Sequence, residues 1–244
     1  MSDDITPSYT WKPDVPDYRD QPYVHTNDIQ PDIVDLRSKM PQVYNQGMMQ
    51  SCTAHALAGQ LGFLNPGSET FSRLFIYYGE RAIEGTVNVD AGAQLRDGIR
   101  FLANTGCCPE SIWPYDKTKW AVKPINEAYV AATPHKILAY SRLSTLDDML
   151  DCLAAGYPFV FGMAVYTLFE RPEMAASGVL QMPIAGEKML GGHAVEAVGY
   201  NMITKRLLIR NSWGTKWGQS GHFTMPFDYV TNRGLTDDFW TIRK

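Results

Sequence analysis

Apolar positions change their spacing along the chain, from a helical period in the first half to strand-like alternation in the second. Between residues 52 and 105 they recur every three or four positions, as in helices that bury one face. Ser144-Thr145-Leu146-Asp147 is a capping-box-like start of a further helix. We predict helices at residues 52–64, 70–82, 94–105 and 144–156, and strands at 158–165, 193–200, 206–212 and 221–226. Helices followed by strands indicate an α+β fold.

The first predicted helix opens on a cysteine. Its core-facing stripe is formed by Ala54, Leu57, Leu61 and Leu64, and Cys52 projects from that stripe by roughly 150°. A thiol in the first turn of a helix feels the positive end of the helix dipole, which favours the thiolate. A free cysteine is often only a small core residue. The position of Cys52 at the start of a helix favours a nucleophile instead.

A histidine and an asparagine lie at equal distances from the centre of a predicted hairpin. His193 and Asn211 are each nine residues from Met202, so a hairpin centred there places them directly opposite each other. The same register places Glu196 diagonal to Arg210 on the other face. An amide oxygen can accept the imidazole N–H and aim the other ring nitrogen at a thiol. The pair therefore predicts a base for Cys52.

These residues belong to longer motifs that resemble the papain family of cysteine peptidases. The motifs are Gln46 six positions before Cys52, Gly191-Gly192-His193-Ala194-Val195, and Asn211-Ser212-Trp213-Gly214-Thr215-Lys216-Trp217-Gly218. The resemblance implies a papain-like two-lobe fold over residues 32–244. The helical lobe would span about residues 45–125 and the β lobe about residues 126–240. A short leader and few cysteines give the chain the appearance of a bacterial or viral member.

The resemblance also implies roles for individual residues. The Gln46 side chain and the Cys52 backbone N–H would form the oxyanion hole, which stabilises charge that develops only during the reaction. Trp213 would shield the bond between histidine and asparagine from water. Gly92 would line the substrate cleft, where a peptide backbone can pair with the wall as an added strand.

Two further residues in the predicted substrate site depart from the family pattern. Gln50 stands where a glycine usually keeps the cleft floor open, and Gly192 stands where an aspartate often shapes a specificity pocket. Neither change removes a catalytic group. Both leave the substrate preference open.

The predicted function is hydrolysis of peptide bonds through a thioester on Cys52. His193 would act first as base and then as acid, with Asn211 orienting its ring and Gln46 holding the oxyanion. Two alternatives remain. The same residues could pass the acyl group to an amine, as a transpeptidase or transglutaminase does, or the chain could be a non-catalytic peptide-binding homologue. Product analysis with an added amine and labelling with a thiol-reactive peptide would separate the three.

Composition limits the partners of the protein. The net charge of −4 without a basic cluster argues against nucleic acid and anionic membranes, so the expected partner is a peptide or protein substrate. The chain has no apolar run of membrane-spanning length and no signal peptide at its start, so the expected location is cytoplasmic.

Besides Cys52 the chain has Cys107, Cys108 and Cys152, which we expect to be buried reduced thiols. Their spacing suggests no zinc site, and we expect no metal or cofactor.

Residues 1–31 form an N-terminal arm rich in proline, with four large aromatic residues: Tyr9, Trp11, Tyr18 and Tyr23. The segment has neither helical nor strand periodicity. A disordered leader is one interpretation, but so many aromatics favour an extended arm packed on the catalytic domain. We hypothesise that residues from about 11 to 23 lie across or beside the cleft and act as an intramolecular inhibitor. The alternative is an arm that pads the back of the β lobe.

Overall fold

Helices dominate the first half of the computed structural model, which describes residues 9–26 and 29–244. The main ones are α1 (Cys52–Phe63), α2 (Arg73–Glu84) and α3 (Leu95–Asn104), each within three residues of its predicted bounds. The helix α4 (Asn126–Ala132) was not predicted, because seven residues are too few to establish a period. It follows the lobe boundary predicted near residue 125, and its buried Ala128 and Ala132 join the helical core.

The helix α1 is buried on all sides rather than along one stripe. Every residue from Cys52 to Leu61 is buried, including His55 and Gln60. The predicted stripe of Ala54, Leu57 and Leu61 does face the core, but the other faces of the helix are buried as well. The helix lies between α2, α3 and the sheet, and its small residues allow this close approach. At Gly59 a Cβ atom would lie 2.3 Å from a carboxylate oxygen of Glu196.

The second half of the chain forms an antiparallel sheet that holds the second core. Its strands are β1 (Ile33–Asp35), β2 (Ala139–Arg142), β3 (Phe159–Tyr166), β4 (Met189–Asn201), β5 (Arg206–Arg210), β6 (His222–Pro226) and β7 (Thr236–Arg243). Their order is β2-β7-β3-β4-β5-β6, with β1 paired to the far end of β4. The strands predicted at residues 158–165, 193–200, 206–212 and 221–226 correspond to β3, β4, β5 and β6. The α+β fold class is confirmed.

Short helices complete the second half, and the first of them packs against β3 and β4. They are α5 (Leu146–Ala154), α6 (Pro172–Ser177) and α7 (Phe227–Thr231). The predicted capping box exists one residue further along than expected, because Thr145 is the N-cap and Asp148 returns the bond to its backbone. No helix in the described part of the chain has both the length and the apolar character needed to cross a membrane.

The hairpin of β4 and β5 has a different register from the one predicted. Glu196 pairs directly with Arg210 rather than lying diagonal to it, so Asn211 is not directly opposite His193. One irregularity shifts the pairing between Ala197 and Gly199. Near the site the error is two residues, and side chains alternate with a period of two. His193 and Asn211 therefore still share one face of the sheet.

The described part of the N-terminal arm crosses the molecule in an extended conformation. The Trp11 backbone N–H donates to the Gly192 carbonyl at 2.9 Å. Further along, the Tyr23 N–H donates to the Arg142 carbonyl, which adds the arm to the edge of β2. Of the four arm aromatics only Tyr18 projects into solvent, at 98% exposure.

Candidate active site

The sheet positions a histidine and an asparagine in contact. His193 Nε2 donates to Asn211 Oδ1 at 2.9 Å, and the same oxygen accepts the Ser212 backbone N–H at 2.8 Å. Two donors fix this oxygen and so orient the imidazole ring. The bond assigns the ring proton to Nε2. Nδ1 is buried without a hydrogen-bond partner among the described residues, so it is the nitrogen available to accept a proton.

Cys52 is brought to the histidine by the start of α1. It is the first residue of the helix and has no exposed surface. The backbone N–H of Ala194 donates toward its sulfur, so the thiol lies against the residue that follows His193. The meeting of α1 with β4 thus brings together two residues that are far apart in the sequence, as predicted.

A network of hydrogen bonds holds the predicted oxyanion glutamine. Gln46 Oε1 accepts from the Ser212 hydroxyl at 2.5 Å, and the Gln46 N–H donates to the Ser212 carbonyl at 2.9 Å. Gln46 Nε2 donates one hydrogen to the Met49 carbonyl at 2.9 Å. An amide nitrogen carries two hydrogens, so the second remains to bind an oxyanion. The neighbouring Arg210 donates to the Pro41 carbonyl at 2.7 Å and steadies the same loop.

Trp213 covers one side of the histidine. Its ring lies 5.2 Å from the His193 ring, at an interplanar angle of 31°. Phe169 and Trp217 pack edge-on behind the indole, at ring distances of 5.2 and 5.1 Å. This aromatic cluster limits the access of water to the bond between His193 and Asn211.

The beginning of the described arm lies over these groups. The Tyr9 ring stands edge-on to the His193 ring at 6.2 Å, and its hydroxyl donates to Glu170 at 2.8 Å. Thr10 fills the space beside Gly92, where a Cβ atom would lie 2.3 Å from the threonine hydroxyl. The arm therefore reaches the cleft earlier in the sequence than the predicted start near residue 11. Its later residues run along α3 and β2.

The other predicted substrate-site residues lie along the same cleft. Gly192 accepts the Trp11 N–H, and Trp213 packs against Tyr9 at a ring distance of 6.2 Å. The Gln50 backbone N–H donates to Asp90 at 3.2 Å, while its side-chain oxygen is buried without a partner among the described residues. The narrowing of the substrate site by the Gln50 side chain stays a prediction.

Burial shifts the pKa values of Cys52 and His193. Removal from water raises the pKa of the Cys52 thiol to about 12, although the N–H groups of Ala194 and Thr53 act in the opposite direction. Burial also lowers the pKa of His193 to about 4, against the effect of its bond to Asn211. Both groups are neutral here. The direction of the Cys52 pKa shift is opposite to the one expected from the helix position, because desolvation by burial is its largest cause.

Sequence reasoning missed two residues that flank the nucleophile. Glu80 of α2 has no exposed surface and accepts from the Thr53 hydroxyl at 2.6 Å, and burial raises its pKa well above the ordinary value. Gly162 of β3 lies directly against Trp11. The available signals were a glutamate among apolar helix positions and a glycine inside an apolar strand. The four cysteines are free and buried.

Comparison with known proteins identifies the family. The family model "Papain family cysteine protease" matches residues 30–239. An uncharacterized peptidase C1-like protein of Acanthamoeba polyphaga mimivirus is 40% identical over 242 residues, which cover 90% of this chain and 78% of the viral protein. The crystal structure of xylellain, a cysteine protease from Xylella fastidiosa, is 40% identical with a TM-score of 0.90 and covers 98% of this chain and 96% of that one.

A more distant structure shares the fold alone. The cysteine protease Amb a 11, a ragweed pollen allergen, was solved in its proform and is 21% identical, with a TM-score of 0.65. The similarity covers 89% of this chain and 68% of that one. The viral and bacterial similarities confirm the resemblance drawn from the motifs. The chain belongs to the papain family of cysteine proteases and is a cysteine-type peptidase that hydrolyses peptide bonds.

Proposed function

We propose that Cys52, His193, Asn211 and Gln46 perform this hydrolysis. His193 Nδ1 takes the thiol proton, and the sulfur attacks the peptide carbonyl carbon while the carbonyl π electrons move onto oxygen. The Cys52 N–H and the Gln46 amide stabilise that oxyanion. The observation that supports these roles most is the 2.9 Å bond from His193 Nε2 to Asn211 Oδ1, which leaves Nδ1 as the proton acceptor.

The remaining steps use the same groups, with His193 acting first as an acid and then again as a base. As the tetrahedral intermediate collapses, the carbon–nitrogen bond breaks and His193 gives its proton to the leaving amine. The thioester on Cys52 is then attacked by water, whose proton passes to His193. Collapse of the second intermediate releases the carboxylic acid and returns the proton to the sulfur. Asn211 holds the ring orientation throughout.

The alternatives to hydrolysis receive no support from a specific residue. Retention of all four groups argues against a non-catalytic homologue. An acyl-transferring enzyme would convert peptide and added amine into a new amide, and product analysis by mass spectrometry would detect it. The cytoplasmic location remains a prediction, which fractionation of the source cell would test.

We further propose that the N-terminal arm inhibits the enzyme by covering the cleft. Three consecutive residues support this proposal, since Tyr9 packs on His193, Thr10 fills the space at Gly92, and Trp11 binds the Gly192 carbonyl. The complete burial of Cys52 is a second support, because a substrate carbonyl must reach the sulfur. The alternative of an arm confined to the back of the β lobe does not account for these contacts.

Charged contacts outside the cleft hold the arm in place. The Asp14 N–H donates to Asp238 at 2.7 Å, and the Asp14 carboxylate accepts from the Trp240 indole at 2.8 Å. Arg96 of α3 forms an ion pair with Asp20 at 2.6 Å and is itself buried. These anchors come from β7 and α3, and they fix the path of the arm just after the residues that lie in the cleft.

Labelling with an epoxide electrophile tests the nucleophile and its protection together. We expect covalent modification of Cys52 alone, because Cys52 lies beside the proposed base His193, whereas burial raises the pKa values of the other three thiols. The reaction is expected to be slow in the intact chain and faster in Trp11→Ala, which loosens the arm. Peptide mapping by mass spectrometry gives the site. Labelling spread evenly over the four cysteines would contradict the proposal, and His193→Ala is the control for activation.

Docking of the arm is expected to weaken as the pH rises through about 7. Burial and the neighbouring Asp14 charge raise the pKa of Asp238 to about 7, and burial raises the pKa of Asp14 as well. The charged groups around them are Arg96, Arg142, Asp20 and Asp237. Since the docked state holds a proton that the free arm releases, its stabilisation is complete at low pH and is lost as the pH rises through about 7.

Hydrogen exchange of residues 9–15 in Cys52→Ala measures this dependence without any catalysis. Protection is expected to fall as the pH rises from about 4 to about 7 and to level off above about 7, after correction for the intrinsic exchange rate. Asp238→Asn is the matched variant, because asparagine tolerates the left-handed backbone of this position (φ 58°) but does not titrate. A pH dependence that persists unchanged in Asp238→Asn would show that another group is responsible.

A further inference from the structure

A small polar cavity lies between the start of α1 and the strands β4 and β5. Its volume is about 10 Å³, and Ala56 and Ala194 form part of its lining. Three other lining side chains carry buried polar atoms without a hydrogen-bond partner among the described residues. These atoms are the Tyr44 hydroxyl, Nε2 of His55 and both carboxyl oxygens of Glu196. Because an unpaired buried polar group is costly, such a cluster indicates a polar ligand.

The protonation state of His55 follows from its surroundings. Burial lowers the pKa of the His55 ring to about 3, so the ring is neutral at ordinary pH. Its Nδ1 lies 2.8 Å from the Ser51 carbonyl oxygen, which can only accept, so Nδ1 carries the proton. Nε2 is therefore a hydrogen-bond acceptor, and the donor that it needs has to come from the cavity.

One water molecule satisfies the three side chains together. It donates one hydrogen to His55 Nε2 and the other to an oxygen of Glu196, and it accepts a hydrogen bond from the Tyr44 hydroxyl. Burial raises the pKa of Glu196 to about 8, but even a protonated carboxyl keeps one oxygen that accepts. Three hydrogen bonds are usual for an internal water, and a cavity of about 10 Å³ is close to the smallest that holds one.

On one side, His55 is connected to the proposed oxyanion glutamine. We call residues 41–50, which include Gln46, the oxyanion loop. Ser51, whose carbonyl binds His55, immediately precedes the nucleophile. The Ser51 hydroxyl lies 2.7 Å from the Tyr115 hydroxyl, which donates to the Gln46 carbonyl at 3.1 Å. A displacement of His55 would therefore move both the start of α1 and the oxyanion loop.

On the other side, Glu196 is connected to the beginning of the same loop. Its carboxyl group lies 3.5 Å from Nε of Arg210, and both side chains are buried. Arg210 in turn donates to the carbonyls of Pro41 and Gln42, each at 2.7 Å. The oxyanion loop is thus held at its beginning through Glu196 and near its glutamine through His55.

We propose that one internal water joins Tyr44, His55 and Glu196, and that this cluster positions the nucleophile and the oxyanion loop. The inference rests on the proposed catalytic roles of Cys52 and Gln46. His55 is a positioning residue, because it is not one of the proposed reacting groups and acts through the residue that precedes the nucleophile. The water holds the His55 ring in place, and the ring in turn holds the start of α1.

A crystal structure of the full chain with Cys52→Ala, at a resolution that shows ordered water, tests the site directly. The substitution prevents self-cleavage and leaves the lining of the cavity unchanged. We expect one peak of electron density within about 3 Å of the Tyr44 hydroxyl, His55 Nε2 and a Glu196 oxygen. A cavity without density, or a direct bond between Tyr44 and His55 that closes it, would overturn the water site.

Tyr44→Phe tests the positioning role, since it removes the hydroxyl and keeps the ring between the guanidinium groups of Arg73 and Arg210. In the Trp11→Ala background, kcat per active site should fall about tenfold and KM should change less than about twofold, because a 1 Å misplacement of reacting groups can cost about 10²-fold. His55→Phe removes both ring nitrogens and should lower kcat further. Titration of active sites with the epoxide corrects for unfolded protein.

Tyr200→Phe is the matched control. Tyr200 is also a buried tyrosine whose hydroxyl has no hydrogen-bond partner among the described residues. It pairs with Val34 of β1 and does not line the cavity. Tyr200→Phe should therefore leave kcat unchanged. Equal kcat values in Tyr44→Phe and Tyr200→Phe would overturn the positioning role.

The outcomes separate the inference from the function on which it rests. A loss of kcat in Gln46→Ala, but in neither Tyr44→Phe nor His55→Phe, would overturn the inference and leave the proposed catalytic roles intact. Normal peptide hydrolysis by Cys52→Ala and Gln46→Ala would instead count against the proposed catalytic residues.

Discussion

Cys52→Ala is expected to reduce peptide hydrolysis to the uncatalysed background, and His193→Ala is expected to do the same. The first variant removes the atom that forms the thioester, and the second removes the base that frees it. Asn211→Ala should be milder, because the ring of His193 remains packed against Trp213 at 5.2 Å and keeps part of its orientation. The measurement is kcat on one peptide in the arm-loosened Trp11→Ala background. A His193→Ala variant with substantial kcat would contradict the assigned base.

The oxyanion role of Gln46 gives a graded result in the same series. Gln46→Ala removes one donor and should lower kcat by about 10²–10³. Because Gln46 also accepts a bond from Ser212, alanine disturbs the loop as well. Gln46→Glu separates the two effects, since it keeps the acceptor for Ser212 but replaces the donor with a negative charge. We expect Gln46→Glu to lower kcat at least as much as Gln46→Ala does. A Gln46→Glu variant with unchanged kcat would exclude the oxyanion role of Gln46.

Removing Trp11 from the cleft should activate the enzyme. Truncation of a buried Trp to Ala typically costs about 3–5 kcal/mol, which is enough to change the docked fraction of the arm greatly. We expect Trp11→Ala, or deletion of residues 1–26, to raise kcat/KM on a short non-aromatic peptide by up to about 100-fold, limited by the fraction already open. Initial rates and melting temperatures should be measured on the same samples.

The arm itself contains a matched control. Tyr18 is an arm aromatic that is 98% exposed, so Tyr18→Ala should change neither kcat/KM nor the melting temperature. A synthetic peptide of residues 9–26 should inhibit the deletion variant, and the same peptide with Trp11→Ala should inhibit it more weakly. Unchanged kcat/KM with a large loss of melting temperature would show instead that the arm is only structural.

The proximity of the proposed catalytic residues could be predicted from the sequence, because the chemistry restricts both residue type and spacing. Cys52 begins α1 and His193 lies within β4, and the structure brings these two elements together. The register of the hairpin of β4 and β5 could not be predicted, because the irregularity before Gly199 is not visible in the alternation of apolar and polar residues. The prediction that His193 and Asn211 share one face of the sheet still holds, because a register shift of two residues does not change the face on which a side chain lies.

Properties that depend on distant packing could not be predicted. The raised pKa of Cys52 results from its complete burial, which depends on tertiary packing that no local pattern reports. The full burial of α1 depends on how α2, α3 and β4 enclose it. The sequence shows that Gly162 is a glycine within a strand, but its contact with the Trp11 ring could not be predicted from the sequence.

The exposed turn around Tyr18 divides the arm into two parts with different attachments. On one side is the segment in the cleft, and on the other the Tyr23 backbone is paired with the edge of β2. While the chain is continuous, the cleft segment competes with substrate at an effective concentration in about the millimolar range, as expected for a short tether. One proteolytic cut at the turn would end that advantage, because the freed segment would dilute into the surrounding solution. Activation by such a cut would be irreversible, whereas activation by pH would be reversible.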